Sequence, residues 1–265
     1  MAVDLGLQGK TVIVTAASKG LGKAAAKQFA EEGAHVLIAS RNEAELKKAT
    51  AEIQETTGNL QVQYTVCDMT DAEAIKRMVS YGVSQFGTVD VLINNAGGPP
   101  AGTFEDFDDE SWKGAFELNL LSFIRTIREV LPYMRKSGGG HIVNIASSSF
   151  KQPIDGLILS NTFRTAIVGL AKSLSQELAP DNILINTVGP GRIATDRVAH
   201  LDQVLADQKG LSIEKVRQSS EKQIPMERYG EPEEFAKMLV FLCSEANSYT
   251  TGQAFLVDGG LVKAL

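Results

Sequence analysis

Short apolar runs rich in β-branched residues alternate along the whole chain with longer amphipathic segments. Such near-continuous apolar strands are typical of a parallel sheet that is covered by helices on both faces. The strand candidates are Thr11–Ala16, His35–Ser40, Gln61–Asp68, Asp90–Asn94, His141–Ala146, Ile183–Val188 and Ala254–Asp258. The alternation therefore predicts an α/β chain with a doubly wound (Rossmann) sheet of seven parallel strands.

The segments between these runs carry apolar residues at helical spacing and predict six helices. Their expected bounds are Leu21–Glu32, Glu43–Thr56, Asp71–Phe86, Asp109–Lys136, Leu157–Leu178 and Pro232–Ser244. A further interval, Gly191–Arg228, is long, polar and mostly helix-like. Segments of that length in a compact domain are commonly lids or binding loops, so we expect it to cover a substrate. A surface excursion without such a role is the alternative.

Length and composition fit one large domain. The 265 residues, 43% of them hydrophobic, suffice for a single α/β core, so residues 1–265 are predicted to form one domain. The net charge of -6 gives no positive field for nucleic acid or an anionic membrane. Cys67 and Cys243 make neither a disulfide framework nor a metal pattern. We therefore expect a cytoplasmic protein with no metal, nucleic acid or membrane partner.

Two glycines follow the first strand candidate, in the stretch TAASKGLGKA. Gly20 and Gly22 stand where a strand turns into a helix. Their bare backbone lets phosphate groups approach the N–H groups and the positive dipole of a helix N-terminus. An ordinary tight turn would also use glycine. The residues that follow the second strand favour the dinucleotide.

The residue about 20 positions after the glycine turn selects between the two nicotinamide dinucleotides. A carboxylate there would bind the ribose of NAD, but this chain has Ser40 followed by Arg41. A guanidinium pairs with a 2′-phosphate that a carboxylate would repel, and Lys19 in the turn adds a second positive charge. These residues predict NADP(H) in preference to NAD(H). A solvated loop charge is the alternative for Arg41.

Seven landmarks follow one another along the chain. They are TAASKGLG after the first strand, CD at 67–68, NNAG at 94–97, Asn119, NIASS after the fifth strand, GPGRIATD at 189–196, and YTTGQAFLVDGG near the C-terminus. In this order they resemble the short-chain dehydrogenase/reductase family, especially its 3-oxoacyl-[acyl-carrier-protein] reductase-like members. The resemblance covers essentially the whole chain. It implies an oxidoreductase acting on CH–OH or C=O groups of a small molecule, assembled as a homo-oligomer (a tetramer or a dimer).

The resemblance also implies where NADP(H) binds. Asp68 is expected to meet the adenine, the stretch 94–97 to flank the cofactor, and Thr195 to touch the nicotinamide amide. One departure lies in the turn, where Ala16 stands at a position that is usually glycine in the family. The residues expected to bind the cofactor are Thr15, Ala17, Ser18, Lys19, Gly20, Leu21, Gly22, Ser40, Arg41, Asp68, Met69, Asn95, Ala96, Gly97, Arg164, Pro190, Gly191, Ile193 and Thr195.

A second departure concerns the family's catalytic residues. Relatives carry Tyr-x-x-x-Lys on one helix face, a serine thirteen residues earlier and an asparagine in the preceding helix. Ser147 and Asn119 match the serine and the asparagine, but the pair of positions holds Ser160 and Arg164. No tyrosine lies between the fifth and sixth strands, so no shift of register supplies one.

Serine is far less acidic than a phenol, and arginine stays charged at every relevant pH, so neither replaces the missing proton donor. Such a loss typically costs about 10²–10⁴-fold in rate, whereas hydride proximity and electrostatic stabilisation are separate contributions. We therefore expect an enzyme with altered catalytic residues, which are Asn119, Ser147, Ser160 and Arg164. Water or a substrate group would deliver the proton for reduction of a 3-oxoacyl or other ketone, or the reverse oxidation. The alternative is a catalytically silent NADP(H)-binding sensor or partner protein.

The surroundings of Arg164 in the sequence are apolar on both sides, in LILSNTF and TAIVGLA. A charge in such a segment is expected to be buried, and a buried charge needs an anionic or polar partner. Arg164 is therefore predicted to do more than solvate a helix surface.

Overall fold

Seven parallel strands form one sheet in the computed structural model of the protein, which describes residues 4–264. Their order across the sheet is β3-β2-β1-β4-β5-β6-β7, and every neighbouring pair is parallel. The predicted α/β fold is confirmed. The strands are β1 Thr11–Thr15, β2 His35–Ser40, β3 Val62–Val66, β4 Val91–Asn94, β5 Gly140–Ile145, β6 Ile183–Pro190 and β7 Ala254–Val257.

Nine α-helices within residues 4–264 connect or cover the strands. Several begin at a side-chain cap, such as Asn42, Asp71 and Asp108, and end at a left-handed glycine, such as Gly58 and Gly87. The helices are α1 Gly20–Glu31, α2 Glu43–Thr57, α3 Ala72–Phe86, α4 Asp109–Phe116, α5 Ser122–Ser137, α6 Ile158–Leu178, α7 Asp196–Lys209, α8 Ile213–Gln223 and α9 Pro232–Leu242.

Alternate residues of the inner strands pack into two separate cores. Val12 and Val14 of β1 join the core that contains Phe29 of α1 and Phe235 of α9. Ile13, between them, joins the opposite core, under α3, α5 and α6. Because the strands are covered on both sides, the loops at the ends of the sheet are the places left for polar groups.

The point where the strand order reverses lies between β1 and β4. The chain runs from β1 outward to β3 and then crosses back to β4 on the other side of β1. Loops that leave neighbouring strands in opposite directions open a crevice at their carboxyl ends, which is where ligands bind in such sheets.

One helical region differs from the sequence prediction, and a second, expected to be mostly helix-like, is helical. The single helix expected over Asp109–Lys136 is α4 and α5 joined by a π-helical turn, Glu117–Leu121. A π turn accommodates one extra residue, which leaves little trace in the hydrophobic period. The interval Gly191–Arg228 contains two helices, α7 and α8, which are separated at Gly210 in the left-handed conformation.

The turn from β1 to α1 holds a non-glycine residue in the left-handed region. Ala16 has a φ of 47°, and its carbonyl accepts a hydrogen bond of 3.1 Å from Asn95 Nδ2. Below it, a Cβ on Gly22 would stand 2.6 Å from the Ala16 carbonyl oxygen, so Gly22 must be glycine for the turn to close. The left-handed conformation costs an L-residue roughly 1–2 kcal/mol, which glycine largely avoids.

We expect Ala16→Gly to raise the free energy of unfolding by about 0.5–1 kcal/mol, since relief of the left-handed strain exceeds the added backbone entropy of the unfolded chain. Urea unfolding of the two proteins measures the difference. Ala17→Gly is the matched control, because Ala17 is buried without a positive φ and its replacement should lower stability. An Ala16→Gly variant less stable than the native protein contradicts the strain.

Candidate active site

A cleft of about 1660 Å³ opens at the carboxyl edge of the sheet. Its wall is built from the turn after β1, the loops after β2 to β6, helix α7 and the segment 261–262. Sixteen of the nineteen residues expected to bind the cofactor line this cleft, as do three of the four expected catalytic residues. The outcome for the catalytic set is that Ser147, Ser160 and Arg164 are in the wall and Asn119 is not.

Four predicted residues lie outside the wall of the cleft. Thr15 and Ala17 are fully buried, and the backbone N–H of Ala17 bonds to Ala39 O at 3.1 Å. Gly22 packs beneath the Ala16 carbonyl. Asn119 is fully enclosed in the π turn. These residues shape the turn and the helix around the cleft without lining it.

Thr15 and Asn95 tie the end of β1 to the end of β4. The Thr15 hydroxyl donates to Asn95 O at 2.7 Å and accepts from Asn95 N at 2.8 Å. Both bonds are enclosed, because Thr15 is completely buried. The pair fixes the turn that carries Gly20 against the loop that carries Ala96 and Gly97.

Helix α1 begins at Gly20, which has a φ of 58°, and its N-cap Lys19 makes no side-chain capping bond. The N–H groups of the first turn therefore have no side-chain cap at the point where the helix meets the cleft. A helix N-terminus in this state is suited to an anion such as a phosphate.

Two charges that the sequence assigned to a 2′-phosphate lie on different loops, Arg41 after β2 and Lys19 in the turn between β1 and α1. Arg41 is exposed and lines the cleft, and no carboxylate of residues 4–264 lies within 4.0 Å of its guanidinium. Lys19 is different, because its Nζ pairs with Glu45 Oε1 at 3.1 Å. The expected second free charge is therefore opposed by a carboxylate from α2, 26 residues away in sequence.

Asp68 and Met69 lie in the wall after β3. Asp68 Oδ1 accepts bonds from Thr70 N at 2.9 Å and Thr70 Oγ1 at 2.8 Å. The backbone bond from Thr70 is the main cause that lowers the pKa of the Asp68 carboxyl, so the group is a carboxylate near neutral pH. Asn94, expected to flank the cofactor, is instead buried and donates to Asn144 Oδ1 at 3.0 Å.

Ser147 and Ser160 reach the cleft from β5 and α6. Ser147 follows β5 and caps a 3₁₀ turn, Ser148–Phe150, by accepting a 3.1 Å bond from Ser149 N. Ser160 is buried in the first turn of α6. Four residues later on the same helix face, Arg164 follows, so the two side chains lie one above the other.

Arg164 is a buried cation at the ends of two strands. Its side chain is 4% exposed, and it donates to Ile145 O at 3.0 Å and Ala96 O at 3.3 Å. Its guanidinium lies 6.0 Å from the Phe123 ring centroid. Burial lowers the pKa of Arg164 to about 10, with a smaller contribution from Arg197, so the group remains charged at neutral pH. The polar partners predicted for a buried Arg164 are two backbone carbonyls.

Two absences bear on the kinds of site that the chain holds. Within residues 4–264, no three histidine, cysteine, aspartate or glutamate side chains group as a metal site would require. In the same part of the chain, no helix combines the length and the apolar character that a membrane span needs.

Comparisons with known proteins agree with this architecture. The family model described as enoyl-(acyl carrier protein) reductase matches residues 15–262. Dehydrogenase/reductase SDR family member 4 of Oryctolagus cuniculus is 37% identical, over 96% of this chain and 94% of its own. The 3-oxoacyl-[acyl-carrier-protein] reductase of Thermotoga maritima is 34% identical, over 97% of this chain and 99% of its own.

The chain belongs to the short-chain dehydrogenase/reductase family. Membership confirms the predicted class, an NAD(P)-dependent oxidoreductase. Among solved structures, L-sorbose reductase of Gluconobacter frateurii, in complex with NADPH and L-sorbose, superposes with a TM-score of 0.94 at 34% identity. That similarity covers 99% of this chain and 100% of the reductase.

Sequence reasoning missed part of this family member's cleft. Arg197, in the first turn of α7, lines it, and so do Leu201 and Leu205 further along the helix. Arg197 stands two residues after Thr195, which is one of the predicted cofactor-binding residues. A positive charge so close to that landmark is the sequence signal that could have identified Arg197 as a cleft residue. The segment 261–262 at the C-terminal end also lines the cleft and carries no motif.

We expect Thr15→Val to lower the free energy of unfolding by about 2–4 kcal/mol, because it leaves Asn95 N and Asn95 O without their buried partner. Urea unfolding measures the loss. Thr11→Val is the matched control: Thr11 is buried on the same strand, and its hydroxyl has no partner among residues 4–264. Its replacement should be neutral or stabilising. Equal losses in both variants would show that the Thr15 bonds contribute nothing specific.

Proposed function

We propose that the protein is an NADP(H)-dependent oxidoreductase that reduces a 3-oxoacyl or other ketone, or oxidises the corresponding alcohol. The observation that carries the proposal is that one continuous cleft contains the glycine turn, Arg41, Ser147 and Arg164. The NADPH and L-sorbose bound to the structural relative support a nicotinamide and a carbonyl compound in the same cleft.

The residues present fit the cofactor. The uncapped N-terminus of α1 suits the pyrophosphate, and Gly22 lets the turn close as tightly as a phosphate site requires. Arg41 is the proposed partner of the 2′-phosphate, since no carboxylate of the described residues lies within 4.0 Å of its guanidinium. Bound NADP(H) supplies the hydride.

Ser147 and Ser160 are the proposed hydrogen-bond donors to the substrate's carbonyl oxygen. In this family the second position is expected to hold a tyrosine, and a serine hydroxyl there is shorter and far less acidic. Arg164, fixed by the carbonyls of Ile145 in β5 and Ala96 after β4, provides a positive field for the negative charge that develops on that oxygen. In this proposal, catalysis depends on the placement of the carbonyl group and on the electrostatic field of Arg164 more than on a side chain that donates a proton.

Proton delivery is assigned to water held by Ser160, Arg164 and Asn119, or to a group of the substrate. Asn119 Oδ1 is buried, and residues 4–264 provide no hydrogen-bond partner for it. Its Nδ2 donates to Ala115 O at 3.3 Å, which leaves the oxygen as the free acceptor. An amide oxygen in that state suits a bridging water.

The segment 191–228 is the proposed substrate lid of a single nucleotide-binding domain. Helix α7 presents Val198, Leu201 and Leu205 to the cleft, an apolar wall suited to a hydrocarbon portion of the substrate. The middle of α7 is anchored, because Asp202 is buried and accepts a 2.9 Å bond from the Tyr229 hydroxyl.

We also propose a homo-oligomeric, cytoplasmic protein, with a dimer or a tetramer as the assembly. Exposed aromatic residues support association: Phe104 is 69% exposed beside Trp112, and Phe116 is 38% exposed beside Phe163. The thiols of Cys67 and Cys243 are both free and buried, which fits a reducing compartment.

We expect NADPH to bind about 10–100-fold more tightly than NADH, because one charge-assisted hydrogen bond to a phosphate contributes roughly 1.5–3 kcal/mol. Titration of both cofactors by fluorescence measures the ratio. Arg41→Asp should abolish or invert it. Arg128→Asp is the matched control, since Arg128 is exposed on α5 outside the cleft. Tighter binding of NADH than of NADPH by the native protein would contradict the proposed role of Arg41.

We expect the native protein to reduce members of a ketone and 3-oxoester panel with NADPH, and Ser160→Tyr/Arg164→Lys to lower that turnover about 10-fold or more. The native rate of hydride transfer should be flat between pH 6 and 9, since neither the serine hydroxyls nor Arg164, whose pKa is about 10, titrate there. The double variant should show an inflection where its new tyrosine titrates.

Stopped-flow measurement of NADPH oxidation across this pH range distinguishes the outcomes. Activity that appears only in the double variant would support the silent NADP(H)-binding alternative. A pH inflection in the native protein within that range would show that a protein acid outside the assigned set delivers the proton.

A further inference from the structure

We infer that the substrate carries an oxyanion, a carboxylate or a phosphate, which is held by Arg164 and Arg197 together. This inference rests on the proposed function only in identifying the bound anion as part of the substrate. The anion site itself rests on the positions of the two guanidinium groups.

Arg164 is a cation without a counter-ion. No carboxylate of residues 4–264 lies within 4.0 Å of its guanidinium, although the side chain is almost completely enclosed. Its two hydrogen bonds go to uncharged carbonyls, of Ile145 and Ala96, and use two of the five N–H groups. A buried charge normally has a partner of opposite sign, so the arrangement favours an anion in the cleft.

Arg197 approaches the same place from the lid. Its Nη2 donates to Pro99 O at 2.7 Å, and its guanidinium lies 3.0 Å from where a Cβ on Gly98 would stand. Arg164 bonds to Ala96, so both guanidinium groups contact one four-residue loop, 96–99. Burial also lowers the pKa of Arg197, and Arg197 in turn lowers that of Arg164, as expected for neighbouring like charges.

The acidic side chains of the cleft leave these charges unmatched. Asp106 is occupied by Thr103, whose N–H and hydroxyl donate to its Oδ2 at 2.7 and 2.8 Å. Asp155 and Asp196 line the cleft but form no ion pair with either arginine within 4.0 Å. Arg164 is almost fully enclosed and Arg197 is partly buried, so two cations with no anion between them repel each other. An oxyanion that bridges them removes the repulsion.

Arg192, in the same cleft, shows how this chain treats an arginine with a structural role. Its Nη1 pairs with the buried Asp202, and its guanidinium lies 5.7 Å from the Tyr229 ring centroid. Arg192, which helps to hold the lid segment, thus has the carboxylate of Asp202 as its partner. Arg164 and Arg197 have no such partner among residues 4–264. The lack of a protein carboxylate at these two arginines is consistent with a ligand that provides the negatively charged group.

The cofactor's phosphates are assigned elsewhere. The pyrophosphate is matched to the N-terminus of α1 and the 2′-phosphate to Arg41, whereas Arg164 sits at the ends of β4 and β5 with Ser147 and Ser160. An oxyanion at Arg164 and Arg197 therefore lies beside the proposed hydride acceptor. Arg has five donors in a planar fork, which matches carboxylate and phosphate oxygens alike.

Calorimetric titration of the NADP⁺-saturated protein with hexanoate, hexyl phosphate and hexanamide tests the inference. These probes share one hydrocarbon chain and differ in the charge of the head group. We expect at least one anion to bind about 10-fold or more tightly than the amide, and the tighter anion identifies the substrate's group. Arg197→Met should remove this advantage, and Arg197→Lys should restore part of it.

Arg128→Met, which removes the same charge from an exposed position outside the cleft, is the control and should leave the advantage unchanged. The inference is overturned if no anion binds better than hexanamide, or if the advantage survives in Arg197→Met. It is also overturned if Arg197→Met weakens NADP⁺ alone, since Arg197 would then serve the cofactor.

These titrations need no turnover, so the two proposals fail separately. Anion binding without reduction of any ketone in the panel would overturn the proposed chemistry and keep the oxyanion site. Reduction of neutral ketones without preferential anion binding would do the opposite. If NADP⁺ itself does not bind, the same titrations on the protein alone still decide the oxyanion site.

Discussion

Burial of the sheet on both faces confines polar chemistry to one edge of the molecule. Alternate residues of β1 enter opposite cores, so the inner strands have no solvated face on which a catalytic group could stand. Even the buried amides of Asn94 and Asn144 near the strand ends bond to each other. The loops after the strands therefore carry much of the cleft wall, to which α6 and α7 add further side chains, and the reversal between β1 and β4 gathers those loops into one cleft.

Arg164 illustrates how that edge is organised. Its bonds to Ile145 and Ala96 join the ends of two strands that belong to the rigid sheet. A charge held in this way needs little reorganisation when negative charge develops nearby, which is the condition for electrostatic catalysis. The same rigidity holds the positive centre of Arg164 in a defined place. Its cation keeps its protonation state over the physiological range, so the field at Ser147 and Ser160 is constant.

The sequence predicted the sheet and most of the cleft wall because both follow from local patterns. Burial on two faces dictates the apolar strands, and the i to i+4 spacing places Ser160 above Arg164 on α6. Contacts between distant segments were not predictable in this way. Glu45 neutralises Lys19 from another helix, and the π turn around Asn119 depends on one extra residue that periodicity does not reveal. Thr15, Ala17 and Gly22 belong to the motif, yet they are buried beneath the turn and do not line the cleft. The amino-acid sequence does not distinguish motif residues that line the cleft from those that support it.

The π turn between α4 and α5 has a mechanical consequence. Helix α5 packs into the core through residues such as Phe123, Ile127 and Val130, which are fully or almost fully buried. Each residue of an α-helix advances the helix by about 100°, so the extra residue in the turn sets the rotational phase of α4 against that of α5. Deletion of one residue in 117–121 would swing the aromatic face of α4 away from Phe163 while α5 stayed in place. The π turn therefore lets α4, on the outer surface, and α5, in the core, face their neighbours at rotations that one continuous α-helix would not allow.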